Sequence, residues 1–140
     1  DGYVVDDLVV TGGSVTLPRA ASKITVGLKF VAAIEMLDID IATQGETLKG
    51  KSISISTVMI EFENSRGAWV GPKRDDGSTG LMNEIKPRRV EDGYDVLPLT
   101  TRKEEVTIEP GWSLGGGIRI EQRVPMPSAI LSVIPEVDVS

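Results

Sequence analysis

Between Lys51 and Gly71 the chain reads KSISISTVMIEFENSRGAWVG, its longest stretch of apolar and polar side chains alternating with the period of two that belongs to an extended strand. Ile53 and Ile55 fall on one face, with Ser52, Ser54 and Ser56 on the other. The apolar set then changes parity, because Val58, Ile60 and Phe62 occupy the face the serines held. A regular strand would expose half of these hydrophobes. The pattern therefore predicts either an extra residue near Ser56 and Thr57, a bulge that swaps the faces, or a central strand buried on both sides. Asn64-Ser65-Arg66-Gly67 is rich in turn formers and precedes Trp69, Val70 and Gly71-Pro72, so the whole stretch reads as a hairpin with a turn of about four residues.

The flanking segments supply partners. Leu8-Val9-Val10 and Val15-Thr16-Leu17 are separated by Thr11-Gly12-Gly13-Ser14, whose glycine pair tolerates the positive φ of a tight turn, and predict a small hairpin ended by Pro18. In Lys23 to Phe30, Ile24, Val26, Leu28 and Phe30 alternate with Lys23, Thr25, Gly27 and Lys29, predicting a strand with one buried face. Val31 to Leu37 fits a helix by its spacing of three or a continued strand. The resumed alternation at Asp38-Ile39-Asp40-Ile41 favours the strand. Gln44 to Gly50 reads as a loop.

Pro72 to about Leu97 loses all periodicity, holding glycines, prolines, charges and only isolated apolar residues such as Leu81, Met82 and Ile85. A span of that kind is expected to be a long loop that works through contacts. Strand character returns at Glu105 to Glu109. Pro110 to Leu114 and the run Gly115 to Gly117 then make a turn, read as flexible, into Ile118 to Val124. There Ile118, Ile120 and Val124 point inward and Gln122 interrupts. Pro125-Met126-Pro127 breaks the ladder, and Ala129 to Ile134 is the last strand, ended by Pro135. About eight strands, no strong helix and one long loop (about 72–97) predict an all-β fold, an antiparallel β-sandwich or barrel.

At 140 residues the expectation is a single β domain over 1–140. The start at Asp1, without methionine, suggests a portion excised from a larger protein. With 40% hydrophobic residues but only 4% aromatic, the core must be aliphatic, which favours strands. The chain has no cysteine and no histidine, so disulfides, thiolate chemistry, histidine–metal sites and a Ser-His-Asp triad have no residues to form from. Net charge is −6, spread evenly: 6 basic against 9 acidic groups in residues 1–70 and 9 against 12 in 71–140. Such diffuse acidity argues against phosphate-backbone binding, and no apolar run approaches the roughly 18 residues of a membrane span.

The candidate chemistry is sparse. Asp38 and Asp40, and Asp75-Asp76-Gly77-Ser78, lack the spacing of an EF-hand loop, and Glu61 and Glu63 read as an exposed strand face rather than a catalytic pair. The triple glycine has neither dinucleotide nor P-loop spacing. No catalytic residue, metal or cofactor is therefore expected. The candidate contacts with partners are Trp69 and Trp112 beside turns, the basic cluster Lys86, Arg88 and Arg89, and Met126 between its two prolines.

Several short words together resemble a known pattern: Ile24 to Leu28, Ser65-Arg66-Gly67 with Val70-Gly71-Pro72, Gly117 to Gln122, Pro125-Met126-Pro127 and Ile130 to Glu136. They resemble the distal part of the tail tubular protein B (nozzle) family of short-tailed bacteriophages, over roughly Ile24 to Val137. In that family a V-G-L strand precedes a long hairpin with an S-R-G turn, and the chain closes in a P-L-P or P-M-P break and an I-x-P-E-V strand. Lys29-Phe30-Val31 departs from the proline-tyrosine-threonine type sequence common there, and nozzle proteins are several times longer. The resemblance implies a non-catalytic structural subunit of the virion, forming a homo-oligomeric ring with other tail proteins around a conduit through which DNA passes without specific binding. The alternative from another class is a carbohydrate- or receptor-binding β-module of a virion or cell surface.

Overall fold

The computed structural model of the chain describes residues 2–40, 47–78, 80–91 and 97–140. Among them there is no helix. Eight strands run in the order β1 (Ala32–Glu35), β2 (Ile53–Ser65), β3 (Ala68–Pro72), β4 (Asn83–Glu84), β5 (Thr100–Thr107), β6 (Trp112–Ser113), β7 (Ile118–Gln122) and β8 (Ala129–Val139). They form two antiparallel sheets. The first has the order β1-β7-β3-β4. In the second, β8 pairs with β2 from Ile53 to Glu63, so β5 and β6 share the other side of β2. This is an all-β sandwich of about eight strands, as the alternation predicts.

The core lies between the sheets. Ile53, Ile55, Val58, Ile60 and Phe62 of β2 face Ala68 and Val70 of β3 and Ile118 and Ile120 of β7, with Ile85 and Ile108 closing the ends. All five β2 residues point inward because the strand is bulged. Ile55 pairs with Val137 and Thr57 with Glu136, leaving Ser56 as the extra residue, and the Ser56 carbonyl accepts the Ile108 N–H at 2.9 Å. The change of parity in the sequence is thus a real change of register.

The hairpin expected between Lys51 and Gly71 does not form. β2 and β3 belong to different sheets, and Arg66-Gly67 is a corner that carries the chain across the core. Both sides of β2 are taken, by β8 and by β5 with β6, so β3 has no edge of β2 to pair with. The corner is pinned instead. Arg66 N–H donates to the Pro127 carbonyl at 3.0 Å, and the Ser65 hydroxyl donates to the Glu63 carbonyl while accepting the Ala129 N–H.

Other expectations change in the same way. The Thr11–Ser14 turn exists, with reciprocal backbone bonds of 2.9 and 3.1 Å around Gly12 and Gly13 at φ +58° and +78°, but its limbs carry no strand ladder. Lys23 to Phe30 is neither a strand nor buried: Val26 is 87% exposed, Leu28 96% and Phe30 78%. The core is filled without it. Residues 2–31 form an arm tied at its base, where the Arg66 guanidinium donates to the Gly2 carbonyl and β1 joins β7. Strand, not helix, is found at Ala32–Glu35.

The 72–97 segment is not wholly a loop, since β4 pairs with β3 and Met82 and Ile85 are buried; Val96 and its four predecessors lie outside the described residues, as does Thr79. The strand expected to continue through Asp38-Ile39-Asp40 is not found, since β1 stops at Glu35, while Ile41 and part of the Gln44 to Gly50 loop lie outside the described residues. Gly115 to Gly117 is close-packed rather than flexible. A Cβ on Gly116 would lie 2.5 Å from the Ile53 side chain, and one on Gly117 would lie 2.7 Å from Lys73. Finally, β8 runs through Pro135 to Val139, which an edge strand tolerates because the missing N–H need not interrupt a ladder on both sides.

Candidate interaction surface

Each sheet turns one face outward, and the two faces differ. On the first sheet, Trp69 pairs with Glu121 and Glu35 with Arg119, placing these side chains together on the outer side of β1, β7 and β3. Alternation explains the arrangement: Ile118, Ile120 and Gln122 take one side of β7, leaving Arg119, Glu121 and Arg123 on the other. Arg119 Nε donates to one oxygen of Glu121 at 2.7 Å and Arg123 Nε to the other at 2.8 Å, while the Arg119 fork also reaches Glu35. The Arg123 guanidinium lies 4.4 Å from the centre of the Trp69 ring, a cation–π contact.

Glu121 is only 5% exposed. Burial alone would push its carboxyl up, but the hydrogen bonds from Arg119 and Arg123 outweigh it and hold it below the usual carboxylate range. The Glu121 and Glu35 carboxylates in turn raise Arg119 above its ordinary value. These charges satisfy one another, so the arrangement rigidifies a sheet face and presents no reactive group. The charged positions of β7 went unread in the sequence, although R-x-E-x-R at alternate positions of a strand is a usable signal for a same-face ion network.

The outer face of the second sheet is acidic. Glu105, Met59 and Ile134 form one cross-strand row, and Lys103, Glu61 and Ser132 the next. Glu136 and Asp138 extend this face along β8, whose opposite side contributes Ile130, Val133 and Val137 to the core. A shallow depression here is lined by Thr57, Met59, Glu105, Ile134, Pro135 and Glu136.

The candidate contact residues do not converge on one site. Trp69 is half-buried beneath Arg123, whereas Trp112, 60% exposed, stands opposite Ser54 on the second sheet. Lys86 and Arg89, with Arg88 between them in the chain, flank β5: the Lys86 carbonyl accepts from Arg102 at 3.0 Å, and Arg89 pairs with Glu104 at 3.1 Å. Trp69 has Glu84 of β4 as its other cross-strand neighbour. Met126 is half-buried at the corner, its carbonyl accepting from Gln122 at 2.7 Å and its side chain against Gly2. Gln122, which interrupts the apolar alternation, therefore clamps the proline-flanked turn to the Arg66 carbonyl.

The acidic residues weighed as metal ligands have other partners. Asp38 pairs with Lys73 at 3.3 Å, Asp40 accepts from Thr47 at 2.5 Å, Asp75 from the Leu114 N–H and Asp76 from the Ser78 N–H. Hydroxyl and amide donors of this kind hold the Asp40 and Asp76 carboxyls below their ordinary values. Among the described residues, no three metal-ligating side chains converge, and no helix is long and apolar enough to cross a membrane. No protein-family model matches the chain, and no curated protein matches it either.

Proposed function

We propose that this chain is a structural, non-catalytic subunit of a short bacteriophage tail, of the nozzle type, which assembles with copies of itself and other tail proteins into part of the DNA-ejection conduit. One observation carries the reading. The chain leaves a long apolar arm outside its own core, a surface that is costly in water and is accounted for if a neighbouring subunit covers it. Such an arm fits a subunit buttressed by its neighbours.

Two further features support it. The outer face of the second sheet is acidic, and an acidic wall repels the phosphate backbone, so DNA slides past without sticking. The aromatic residues stand apart, Trp69 and Trp112 on different sheets, which fits a sugar-stacking platform poorly.

The test is immunogold microscopy with antibodies to this chain on intact virions of the encoding phage. Gold at the distal tail is expected. Gold confined to capsids, or absent from particles while the protein is abundant in the infected cell, would overturn the proposal.

A further inference from the structure

Of the twenty-one large hydrophobic residues exposed among the described residues, eleven lie between Tyr3 and Val31, so the unsatisfied apolar surface is concentrated on the arm and not scattered. Its backbone also lacks ladder partners among the described residues. Among the described residues, 15–31 make no backbone–backbone hydrogen bond, and the limbs are linked by one exposed ion pair, Lys29 to Asp6 at 3.3 Å. An extended segment with free N–H and C=O groups and a period-two apolar face has the chemistry of a strand lacking a sheet.

The sandwich offers a sheet lacking a strand. β8 pairs only with β2, and among the described residues no strand lies on its other side. Ile130, Val133 and Val137 pack against the core there yet stay half-exposed, with no described strand beside them. The charges complement. Residues 8–34 carry Arg19, Lys23 and Lys29 and no carboxylate, whereas 35–140 carry 18 acidic against 12 basic groups, with Glu136 and Asp138 on the outer side of β8.

We propose that Lys23 to Phe30 of one copy adds as a strand along the open side of β8 in a second copy. Strand addition places Ile24, Val26, Leu28 and Phe30 in line with the apolar row Ile130, Val133 and Val137. The same alternation brings Lys23 and Lys29 to the side that holds Glu136 and Asp138. The arm and the edge are different surfaces, so the contact is heterologous and propagates head to tail, closing as a ring or continuing as a filament. This names the contact by which the proposed subunit would assemble, and rests on that reading.

The experiment is sedimentation velocity of the full chain from micromolar to near-millimolar concentration. The wild type is expected to associate. Val26→Asp/Leu28→Asp should weaken association by roughly a hundredfold, since it puts charges where apolar side chains are buried, with the thermal melt unchanged because both side chains are exposed. A charge-swap pair adds a positive signal: Lys23→Glu/Lys29→Glu and Glu136→Lys/Asp138→Lys should each weaken self-association and restore it when mixed. Association indifferent to the arm variants, or a mixture no better than its parts, overturns the contact while leaving the assembly reading standing. A wild type monomeric at every concentration overturns both.

Discussion

Gly67 and Val124 stand so close that a Cβ on the glycine would lie 2.1 Å from a methyl of the valine, and Gly67 holds φ at +87°. Both facts belong to the corner where β2 leaves one sheet and β3 enters the other. Gly67→Ala should therefore cost roughly 2–4 kcal/mol, combining left-handed strain with overpacking. Gly12→Ala shares the positive φ but has nothing within 4 Å, and should cost about 1 kcal/mol. Urea denaturation of the two variants separates these cases.

Glu121 should make stability depend on acid. Its carboxyl lies below its ordinary value in the folded chain, so its contribution is fully present above the unfolded pKa of about 4.3 and is lost as pH falls through the lower folded value. Glu121→Gln should lose about 1–3 kcal/mol at neutral pH, leaving Arg119 and Arg123 without their shared partner. The gap between variant and wild type should narrow in titrations below about pH 4.

Ile60 and Leu28 occupy equivalent positions in equally regular alternations, yet one is fully buried and the other almost fully exposed. Ile60→Ala should cost about 2–5 kcal/mol in the isolated chain. Leu28→Ala should stay within about 0.5 kcal/mol. Chemical denaturation under dilute conditions measures both.

That contrast marks what could be read without coordinates. Period two identifies a segment that wants a sheet, so the all-β class is legible; the change of parity before Val58 leaves a bulge as one of two readings, and the glycine pair itself marks the Gly12-Gly13 turn. Alternation does not name the partner, so Lys23 to Phe30 reads as buried although no strand among the described residues covers it. β5 begins earlier than its apolar residues reveal, because Thr100 to Glu104 is a polar edge. The Arg66-Gly67 corner looks like a hairpin turn, since the same turn formers serve both, and only competition for the flanks of β2 decides between them. Glu121 stays hidden because the apolar alternation of β7 marks only its inward half.

Deleting Ser56 should be tolerated where other deletions in β2 are not. Without it the strand alternates regularly, with Ile55 and Val58 still inward, and the main loss is the bond from the Ile108 N–H, about 1–2 kcal/mol. Deleting Met59 instead would turn half of the β2 hydrophobes outward and should abolish cooperative folding. Thermal melts followed by circular dichroism distinguish the two outcomes.

The most direct measurement is amide hydrogen exchange of the full chain at low and at high concentration. Amides of residues 15–31 should exchange freely in dilute solution while those of β2 and β7 are protected, and at high concentration protection should appear in the arm and along β8 together. Arm amides already protected in dilute monomer, or unchanged on association, would contradict the claim that this chain carries a strand meant for its neighbour.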